Sequence, residues 1–495
     1  MNVMSQSSGP YDAGGGGSDR KLSSEAADHD IAGISADSRK IRPGMIFAAL
    51  PGAAVDGRNF IADAVARGAV AVLAPPGTTW PVGVPPRALL IDAEPRRLLA
   101  RLAAKLAGPL PRHVVAVTGT NGKTSTVDFI RQIFSRAGLR AASLGTLGLV
   151  APGFAPSETL TTPDAETLVA MLADVKRAGI EHVALEASSH GLDQFRLDGL
   201  AIRVAGFSNL TRDHLDYHGG LAAYRAAKLR LFGEVMPRGG FAAVMADMET
   251  ETLQALRGIA QERGLDLEII GDASSRVEIR AIAPVPGGQI LTLVLDGVER
   301  DIRVNLAGRF QADNALLAAA LARAAGVADA FDYIPDLVGV RGRLEFVAST
   351  AGDAAVYVDY AHTPDAIERV LQALRPHTAG RLVIVFGAGG NRDRGKRPLM
   401  GYIASHLADL AIVTDDNPRG EMPGDIRAEI MAGSVSDGMI EIGDRRTAIA
   451  AGLDALRAGD VLVVAGKGHE QGQMIGDQTL PFDDAAVIRD ILAAS

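Results

Sequence analysis

The sequence has no cysteine, no apolar run long enough to cross a bilayer and no excess of positive charge. Without cysteine, disulfide bonds, thiolate metal sites and a cysteine nucleophile are excluded. A membrane-spanning helix needs about 20 mainly apolar residues, so an integral helical membrane protein is excluded as well. The formal net charge of −9 gives no reason to expect nucleic acid as the main partner, although local basic clusters can still bind acidic ligands.

The N-terminal stretch "MNVMSQSSGPYDAGGGGSDRK" is rich in glycine and serine and lacks the apolar centre of a signal peptide. Such a composition cannot bury enough apolar surface to offset the entropy of ordering. We therefore expect residues 1–25 to be a disordered tail and the protein to be cytoplasmic.

Length and periodicity predict an α/β protein of three domains. A chain of 495 residues is too long for one ordinary core, and 47% hydrophobic with 22% charged residues is typical of a globular enzyme. Residues 26–111 alternate short strands such as "GMIFAAL" and "AVAVLA" with helices. Residues 112–335 alternate strands and helices in the manner of a mostly parallel sheet covered on both faces. The pattern restarts in residues 336–495.

The stretch "VAVTGTNGKTSTVDFI" (115–130) reads as a strand, a glycine-rich turn and the start of a helix. The usual P-loop pattern G-x-x-x-x-G-K-[ST] has a glycine where this chain has Val117. Backbone N–H groups at the helix start and the Lys123 cation still suit an anion, and Thr124 can bind a metal. The stretch therefore predicts a site for phosphate groups.

Two segments downstream carry further candidates. Glu186 ends the apolar run "VALE", and a carboxylate close to bound phosphates is a candidate magnesium ligand. Residues 208–218 gather amide, carboxylate and imidazole side chains into one loop, namely Asn209, Asp213, His214, Asp216 and His218. Lys228 follows among Ala, Leu and Phe. Taken alone, it is best interpreted as a surface lysine whose aliphatic chain packs on apolar residues while its amine stays in solvent. A desolvated lysine could also do covalent chemistry.

In the last third, polar loops follow apolar strands, where ligands bind in open α/β sheets. "FGAGGNRDRGKRPLM" (386–400) weakly resembles a dinucleotide fingerprint, but Arg392 replaces the last glycine, which argues against NAD. "VDYAHTPDA" (358–366), "TDDNPRGEMP" (414–423) and "AGKGHEQGQ" (465–473) complete the set. They place both signs of charge at one sheet edge, which suits a ligand with an ammonium and a carboxylate. Ordinary solvated loops are the alternative.

As an ordered set, these stretches resemble the Mur ligases, the ATP-dependent amide-forming enzymes of peptidoglycan synthesis. The resemblance rests on "TGTNGKT", "TTPDA", "EASSHGL", "NLTRDHLDYHG", "YRAAKLRLF", "DYAHTPDA", "GGNRDRGKRP", "DNPR" and "GKGHE", and extends from about Ser35 to near the C-terminus. It implies an N-terminal domain for a UDP-sugar, a central P-loop-type ATPase domain and a C-terminal Rossmann-like domain for an amino acid. The family's own loop is "GTNGKT", which accounts for Val117.

The resemblance also implies a role for individual positions. Those at ATP are Gly119, Thr120, Asn121, Gly122, Lys123, Thr124, Ser125, Asn314, Arg343 and Asp359. Those at UDP-N-acetylmuramoyl-L-alanyl-D-glutamate are Ser38, Thr161, Thr162, Ser188, Gln194 and Arg196. Those at meso-diaminopimelate are Arg392, Asp416, Asn417, Pro418, Arg419, Gly466 and Glu470. The positions implied to act in catalysis are Lys123, Glu186, His214 and a carbamylated Lys228. Those implied to bind Mg²⁺ are Thr124, Glu186, His214 and Lys228.

The implied reaction joins meso-diaminopimelate to the D-glutamyl γ-carboxylate through an acyl phosphate, and we expect a monomer. A lysine-adding Mur ligase is one alternative, but "DNPR" belongs to the diaminopimelate-adding branch, where its arginine binds a carboxylate that lysine lacks. A folylpolyglutamate synthetase is another, and the muramoyl-ligase motif set argues against it. A nucleotide-binding sensor without catalysis is the third, and retention of Lys123, Glu186, His214 and Lys228 argues against that.

Overall fold

The structure is a computed structural model that describes residues 31–52, 55–155, 160–211, 215–285, 287–350, 352–436 and 438–494. The expected tail at 1–25 and the candidate residues Asp213 and His214 lie outside this part of the chain. The described chain forms two compact units. The first unit comprises the residues up to Pro111 together with Pro163–Ala178 and His190–Leu200, and the second unit comprises Arg112–Thr162, Gly179–Ser189 and the residues from Ala201 onwards.

Strands and helices alternate along most of the described chain. The strands are β1 (Gly33–Ser35), β2 (Met45–Ala48), β3 (Ala71–Ala74), β4 (Ala88–Ile91), β5 (His113–Thr118), β6 (Ala141–Gly145), β7 (Gly148–Val150), β8 (His182–Glu186), β9 (Ile202–Phe207), β10 (Phe241–Met245), β11 (Asp266–Ile270), β12 (Val277–Val285), β13 (Gly288–Leu295), β14 (Val298–Val304), β15 (Glu345–Ser349), β16 (Ala355–Asp359), β17 (Leu382–Phe386), β18 (Leu410–Val413), β19 (Met439–Glu441), β20 (Val461–Ala465), β21 (Gly472–Ile475) and β22 (Gln478–Pro481). The helices are α1 (Ile61–Ala66), α2 (Pro95–Leu106), α3 (Lys123–Arg136), α4 (Ala165–Arg177), α5 (Ser189–Asp193), α6 (Leu215–His218), α7 (Leu221–Arg230), α8 (Thr250–Arg263), α9 (Arg309–Ala324), α10 (Pro364–Leu374), α11 (Lys396–Leu407), α12 (Pro423–Met431), α13 (Arg445–Asp454) and α14 (Asp484–Ala494).

The first unit is built on a four-stranded parallel sheet in the order β1-β2-β3-β4. The runs "GMIFAAL" and "AVAVLA" form β2 and β3, so the prediction of strands there is confirmed. Their apolar residues form a core with Ile61 and Val65 of α1. Helix α1 ends at Ala66, and Gly68 follows it with a φ of 99°, the left-handed conformation that commonly terminates helices.

The second unit begins with a seven-stranded sheet in the order β11-β10-β9-β5-β8-β6-β7. All pairs are parallel except β6 with β7, which confirms the prediction of a mostly parallel sheet. From central β5 the chain crosses to one side of the sheet, and after β8 it crosses to the other. Ligands bind at such a reversal, at the carboxyl ends of the strands. The loops after β5, β8 and β9 meet there.

An antiparallel sheet, β12-β13-β14, separates this sheet from α9 along the chain. Sequence analysis missed it, because the helix–strand alternation on either side gave no reason to expect three consecutive strands. Leu291 and Leu293 of β13 share one buried core with Phe129 of α3 and Leu316 of α9. The meander therefore extends the core of the second unit.

The remainder of the second unit contains a six-stranded sheet in the order β15-β16-β20-β17-β18-β19, in which only β15 runs antiparallel to its neighbour. Buried residues alternate between its faces: Ile384 of β17 joins one core, and the adjacent Val385 joins the other. A sheet covered on both faces exposes little but its strand ends. The polar loops after β16, β17, β18 and β20 therefore gather at one edge.

Candidate functional site

The glycine-rich loop leaves β5 and leads into α3, as predicted. Gly122 has a φ of 81°, and a Cβ there would lie 2.3 Å from Oδ1 of Asn314. Gly119 is equally constrained, because a Cβ would lie 1.9 Å from the hydroxyl of Ser208. The loop is thus packed too closely for any larger residue at either position. Asn314, predicted to lie near the nucleotide, is buried in α9 directly beneath the loop.

Two lysine ammonium groups bind carbonyl oxygens of this loop. Lys123 Nζ donates to the Gly119 carbonyl at 2.9 Å and to that of Thr120 at 2.8 Å. Lys228 Nζ donates to the same Gly119 carbonyl at 2.7 Å and lies 4.4 Å from the ring centre of Tyr224. Because Lys228 is only 1% exposed, the interpretation of it as a lysine with its amine in solvent is wrong. The Ala-rich helix around it could not reveal which face is buried.

Glu186 ends β8, as predicted, and is buried. Its Oε1 accepts the Thr146 N–H at 2.8 Å, and a Cβ on Gly145 would lie 2.1 Å from the same oxygen. The Thr162 hydroxyl donates to the Glu186 carbonyl at 2.7 Å and accepts the Ser188 N–H at 3.0 Å. Backbone and threonine groups therefore fix the carboxylate beside the loop.

A cavity of roughly 120 Å³ opens between these groups. It brings together residues for which the sequence implied three separate roles: the loop residues 120–124, the candidate catalytic pair Glu186 and Lys228, and the candidate sugar-dipeptide residues Thr161 and Ser188. Tyr224 and Thr146 also line it, and neither was identified from the sequence. Among the described residues, no three His, Cys, Asp or Glu side chains form a metal-binding group. Of the residues predicted to bind Mg²⁺, Thr124, Glu186 and Lys228 line this cavity.

The predicted short loop at 208–218 is only partly a loop, because residues 215–218 form the helix α6. His218 therefore lies on a helical turn, where its ring contacts those of Tyr217 and Tyr224. Asn209 lies next to the phosphate loop, since its side-chain oxygen accepts the Asn121 N–H at 3.0 Å.

Arg343 reaches the same cavity from the segment before β15. Asp359, at the end of β16, is buried, and its carboxylate accepts the N–H groups of Leu344 at 2.6 Å and Ala361 at 2.7 Å. Burial raises the pKa of Asp359. The Gln311 amide of α9 donates to the Arg343 carbonyl at 2.9 Å. Asp359 therefore supports the backbone that presents Arg343, rather than lining the cavity itself.

The six candidate residues for the UDP-sugar dipeptide divide between the two units. Thr161, Thr162 and Ser188 belong to the second unit, and Ser38, Gln194 and Arg196 belong to the first. In the first unit, Ser38 lines a cavity of roughly 750 Å³ together with Glu166 of α4. The Glu166 carboxylate accepts the Ala36 N–H, and burial raises its pKa. Elsewhere in the first unit, Arg196 donates to the Gln194 side-chain oxygen at 2.8 Å.

The carboxyl ends of β18 and β20 bring together a second group of predicted residues. Asp416 and Asn417 are buried after β18, and the Asn417 amide nitrogen donates to Glu470 Oε2 at 2.9 Å. Burial raises the pKa of Glu470, with a further contribution from the Asp416 charge. A Cβ on Gly466 would lie 2.4 Å from Asp416 Oδ2, so this position requires glycine. The acids and the amide therefore form one connected cluster.

The candidate residues for a carboxylate flank this cluster. Arg419 has a φ of 53°, and its guanidinium donates to the Gly390 carbonyl at 3.1 Å. Its backbone is held by β21, since the Arg419 N–H donates to the Met474 carbonyl at 3.0 Å. Pro418 is buried and lies against Gly390, where a Cβ would approach the Pro418 carbonyl to 1.9 Å. Arg392 is exposed on the glycine-rich loop after β17.

Sequence analysis missed two buried cations in this region, Lys467 and Arg397, both 0% exposed. The Arg397 guanidinium makes two hydrogen bonds to the Glu421 carboxylate, each 2.9 Å, and one to Glu429 at 2.7 Å. It also donates to the Gly389 carbonyl at 3.3 Å. Arg397 therefore fixes the loop that holds Arg419. In the sequence it is one of several cations in "NRDRGKR", and nothing there shows which of them is buried.

Comparison with protein families matches three models along the chain. The model described as Mur ligase family, catalytic domain, matches residues 30–105. The Mur ligase middle domain matches residues 117–322, and the Mur ligase glutamate ligase domain matches residues 342–468. Together the matched segments span most of the chain.

Individual relatives are similar over almost their whole length. The chain is 50% identical to UDP-N-acetylmuramoyl-L-alanyl-D-glutamate–2,6-diaminopimelate ligase of Caulobacter vibrioides, over 93% of this chain and 95% of that protein. It is 45% identical to the protein of the same name from Bradyrhizobium diazoefficiens, over 97% and 98%. A solved structure of a ligase of that name has a TM-score of 0.71 at 36% identity, covering 94% and 95%. MurF ligase from Thermotoga maritima in complex with ADP shares the fold, with a TM-score of 0.60 at 18% identity over 94% and 96%.

Proposed function

The chain belongs to the Mur ligase family, and on this premise we propose that it joins meso-2,6-diaminopimelate to the D-glutamyl γ-carboxylate of UDP-N-acetylmuramoyl-L-alanyl-D-glutamate. It is an ATP-dependent, amide-bond-forming ligase of peptidoglycan precursor synthesis. One observation carries the proposal: the second unit contains both a lysine-bearing phosphate loop and a cluster of acids beside an arginine, each at the carboxyl ends of strands.

The first step activates a carboxylate, which is otherwise a poor electrophile. A γ-carboxylate oxygen of the D-glutamyl residue attacks the γ-phosphorus of ATP, giving an acyl phosphate and ADP. Positioning and charge neutralisation supply most of the catalysis in such transfers. Lys123, which donates to two carbonyl oxygens of the loop, would turn to the β- and γ-phosphate oxygens when ATP binds. Asn314 and Arg343 would hold the nucleotide side of the loop.

We assign Mg²⁺ to Thr124, Glu186, His214 and Lys228, of which His214 lies outside the described residues. When bound, the cation would neutralise charge on the transferred phosphoryl group. The Lys228 ammonium group can lose a proton, and the resulting amine can add CO₂ and lose a second proton to give a carbamate anion. Lys228 lines the same cavity as Thr124 and Glu186, which supports this assignment.

In the second step, an amine of meso-diaminopimelate attacks the acyl phosphate, and the tetrahedral intermediate collapses to amide and phosphate. The other end of this amino acid carries an ammonium and a carboxylate. We assign the ammonium to Asp416 and Glu470, and the carboxylate to Arg419, supported by Arg392. Arg419 discriminates against lysine, whose distal end has no carboxylate.

The test is phosphate release by the purified protein with ATP and the UDP-sugar dipeptide, using diaminopimelate, lysine or ornithine as acceptor. We expect release that requires the dipeptide and is fastest with diaminopimelate. Equal rates with lysine would contradict the assigned acceptor, and no release with any acceptor would contradict the ligase.

We also propose that the enzyme works in the cytoplasm as a monomer, because ATP and the UDP-linked substrate are supplied there and the two groups of site residues in the second unit come from one chain. Among the described residues, no helix is long and apolar enough to cross a membrane. Light scattering of the active protein and fractionation of cells test the two parts of this proposal. A dimeric mass or a membrane-bound pool would contradict it.

A further inference from the structure

Lys467 is a buried cation at the proposed amino-acid site that the reaction outlined above does not use. It lies two residues after the end of β20, and its Nζ donates to Asn417 Oδ1 at 2.8 Å and to the Gly472 carbonyl at 2.8 Å. The same nitrogen lies 3.8 Å from Asp416 Oδ1 and 3.9 Å from Glu470 Oε2. Lysine is almost never fully buried unless it is paired, because desolvation of the ammonium group costs free energy. The contacts of Lys467 with Asn417, Asp416 and Glu470 offset this cost.

The first consequence of these contacts is a fixed Asn417 amide. Its Oδ1 accepts from Lys467 Nζ and from the Met474 N–H at 2.9 Å. Two donors on the oxygen force the amide nitrogen to the other side, where it donates to Glu470. A rotated amide would set its nitrogen against both donors and lose the bond to Glu470. Lys467 therefore helps to hold the Glu470 carboxylate in place through Asn417.

The second consequence is a charge balance. Asp416 and Glu470 contribute two negative charges and Lys467 one positive charge, which leaves one negative charge in the cluster. Arg445 and Asp484 also face Lys467, but they form a closed, fully buried ion pair at 2.7 Å and add no net charge. Asp416 is buried and Glu470 half-buried, and two adjacent carboxylates of this kind oppose each other's ionisation, which a nearby cation relieves. Arg419 is near enough for its charge to act on Glu470.

We propose that Lys467 is a positioning residue of the amino-acid site: it orients Glu470 through Asn417 and leaves a single uncompensated negative charge, which selects a head group with one ammonium beside Arg419. The inference rests on the proposed function and specifies how the amino-acid site recognises its acceptor. Lys467 itself touches neither the acceptor nor the reacting atoms.

The test removes the positive charge of Lys467 and then restores the net charge of its cluster with Asp416 and Glu470. Lys467→Met in the full-length enzyme should raise KM for diaminopimelate about 10-fold or more, while KM for ATP and for the UDP-sugar dipeptide stay within about 2-fold. Lys467→Gln keeps a donor for Asn417 without the charge, and should also raise KM for diaminopimelate. It serves as a second variant should Lys467→Met fail to fold. Lys105→Met, an exposed lysine in α2, is the matched control.

Glu470→Gln then distinguishes charge balance from packing. Glu470→Gln alone removes the net negative charge and should weaken binding of diaminopimelate. Combined with Lys467→Met, it returns the cluster to one negative charge, so the double variant should have a lower KM than Lys467→Met alone. A merely structural Lys467 would give additive losses instead, and this result would overturn the inference. Unchanged KM in both Lys467 variants of an otherwise active enzyme would also overturn it. A wild-type enzyme without acceptor-dependent phosphate release would instead refute the proposed function.

Discussion

The phosphate loop and the amino-acid cluster hold their cations in different ways. At the loop, Lys123 and Lys228 donate to carbonyl oxygens of the main chain, which carry no formal charge. At the cluster, Lys467 lies within 4 Å of two carboxylates. Around the cluster, Arg397 and Arg445 form hydrogen-bonded pairs with carboxylates of their own domain.

This difference matches what each region is proposed to receive. ATP brings several negative charges, which suit the two lysines and the backbone N–H groups at the start of the helix that follows the loop. The distal end of an amino acid is a zwitterion with no net charge, so its site must present balanced charge of both signs before the ligand arrives. We therefore expect substitutions at the loop to affect chiefly catalysis, and those beneath the cluster to affect chiefly folding or acceptor affinity.

The largest expected effect is on stability beneath the cluster. Both side chains of the Arg445–Asp484 pair are 0% exposed. Arg445→Met would leave Asp484 buried without its partner, and should lower the free energy of unfolding by about 3–5 kcal/mol. Urea unfolding followed by circular dichroism measures this. Arg39→Ala, which removes an exposed pair with Asp37, is the control and should change nothing measurable. Equal stability of the Arg445 variant would show that the cluster does not depend on its internal pairs.

Lys228→Ala should lower activity strongly and stability little, the opposite of what we expect for Arg445→Met. We expect kcat to fall by about 10²-fold or more, because an anion that organises the phosphoryl transfer is lost. The melting temperature should change little compared with the Arg445 variant. Acetate or formate added to the assay should restore part of the activity of this variant and leave the wild type unaffected. Full activity without any additive would exclude the carbamate.

Arg419→Ala tests the acceptor end of the comparison. Loss of a charge-assisted contact should cost about 1.5–3 kcal/mol, or roughly 10- to 100-fold in KM for diaminopimelate. KM for ATP should stay unchanged, because the loop does not depend on this arginine. Steady-state phosphate release at varied concentrations of each substrate separates the two. A parallel rise in both constants would refute the role given to Arg419.

Gly122→Ala probes the close packing at the loop. Gly122 and Gly138 have nearly equal positive φ, 81° and 78°, but only at Gly122 would a Cβ meet another atom within 4 Å. Gly138→Ala should cost about 1 kcal/mol of backbone strain, and Gly122→Ala about 1–2 kcal/mol more, with a raised KM for ATP. Thermal unfolding and ATP titration check both. Identical behaviour of the two variants would show that the loop yields to the added methyl group.

The smallest effect concerns His469, in the loop between Lys467 and Glu470. Burial, together with the charges of Arg343 and Arg341, lowers its pKa to about 4 from the ordinary 6.5. Between pH 6.5 and 4 the unfolded chain binds a proton at this imidazole, and the folded chain does not. The neutral imidazole therefore makes its full contribution to folding stability above pH 6.5, and this contribution is lost as the pH falls towards 4. Its size should be about 1–2 kcal/mol after solvent screening. His469→Gln should flatten the stability profile between pH 6.5 and 4. An unaltered profile would assign the acid sensitivity to other groups.

The fold was predictable where periodicity was strong. The apolar runs ending at Thr118, Glu186 and Asp359 each form the expected strand, and the polar residues follow at the carboxyl ends. The β12–β14 meander was missed, because antiparallel pairing depends on partners that local patterns do not identify. The assignment of residues to substrates was available only through the family resemblance, and the role of every site residue stays a prediction.

The sequence by itself determined the alternation of strands and helices on either side of the β12–β14 meander and the identity of the charged groups, because these depend on local periodicity and residue chemistry. Only the tertiary structure decided which lysines and arginines are buried and which atoms they bind. Lys228, Arg397 and Lys467 stand among ordinary helical or loop residues, and their burial results from neighbouring segments closing over them. Long cationic side chains can reach either solvent or the interior, and packing between distant segments decides which.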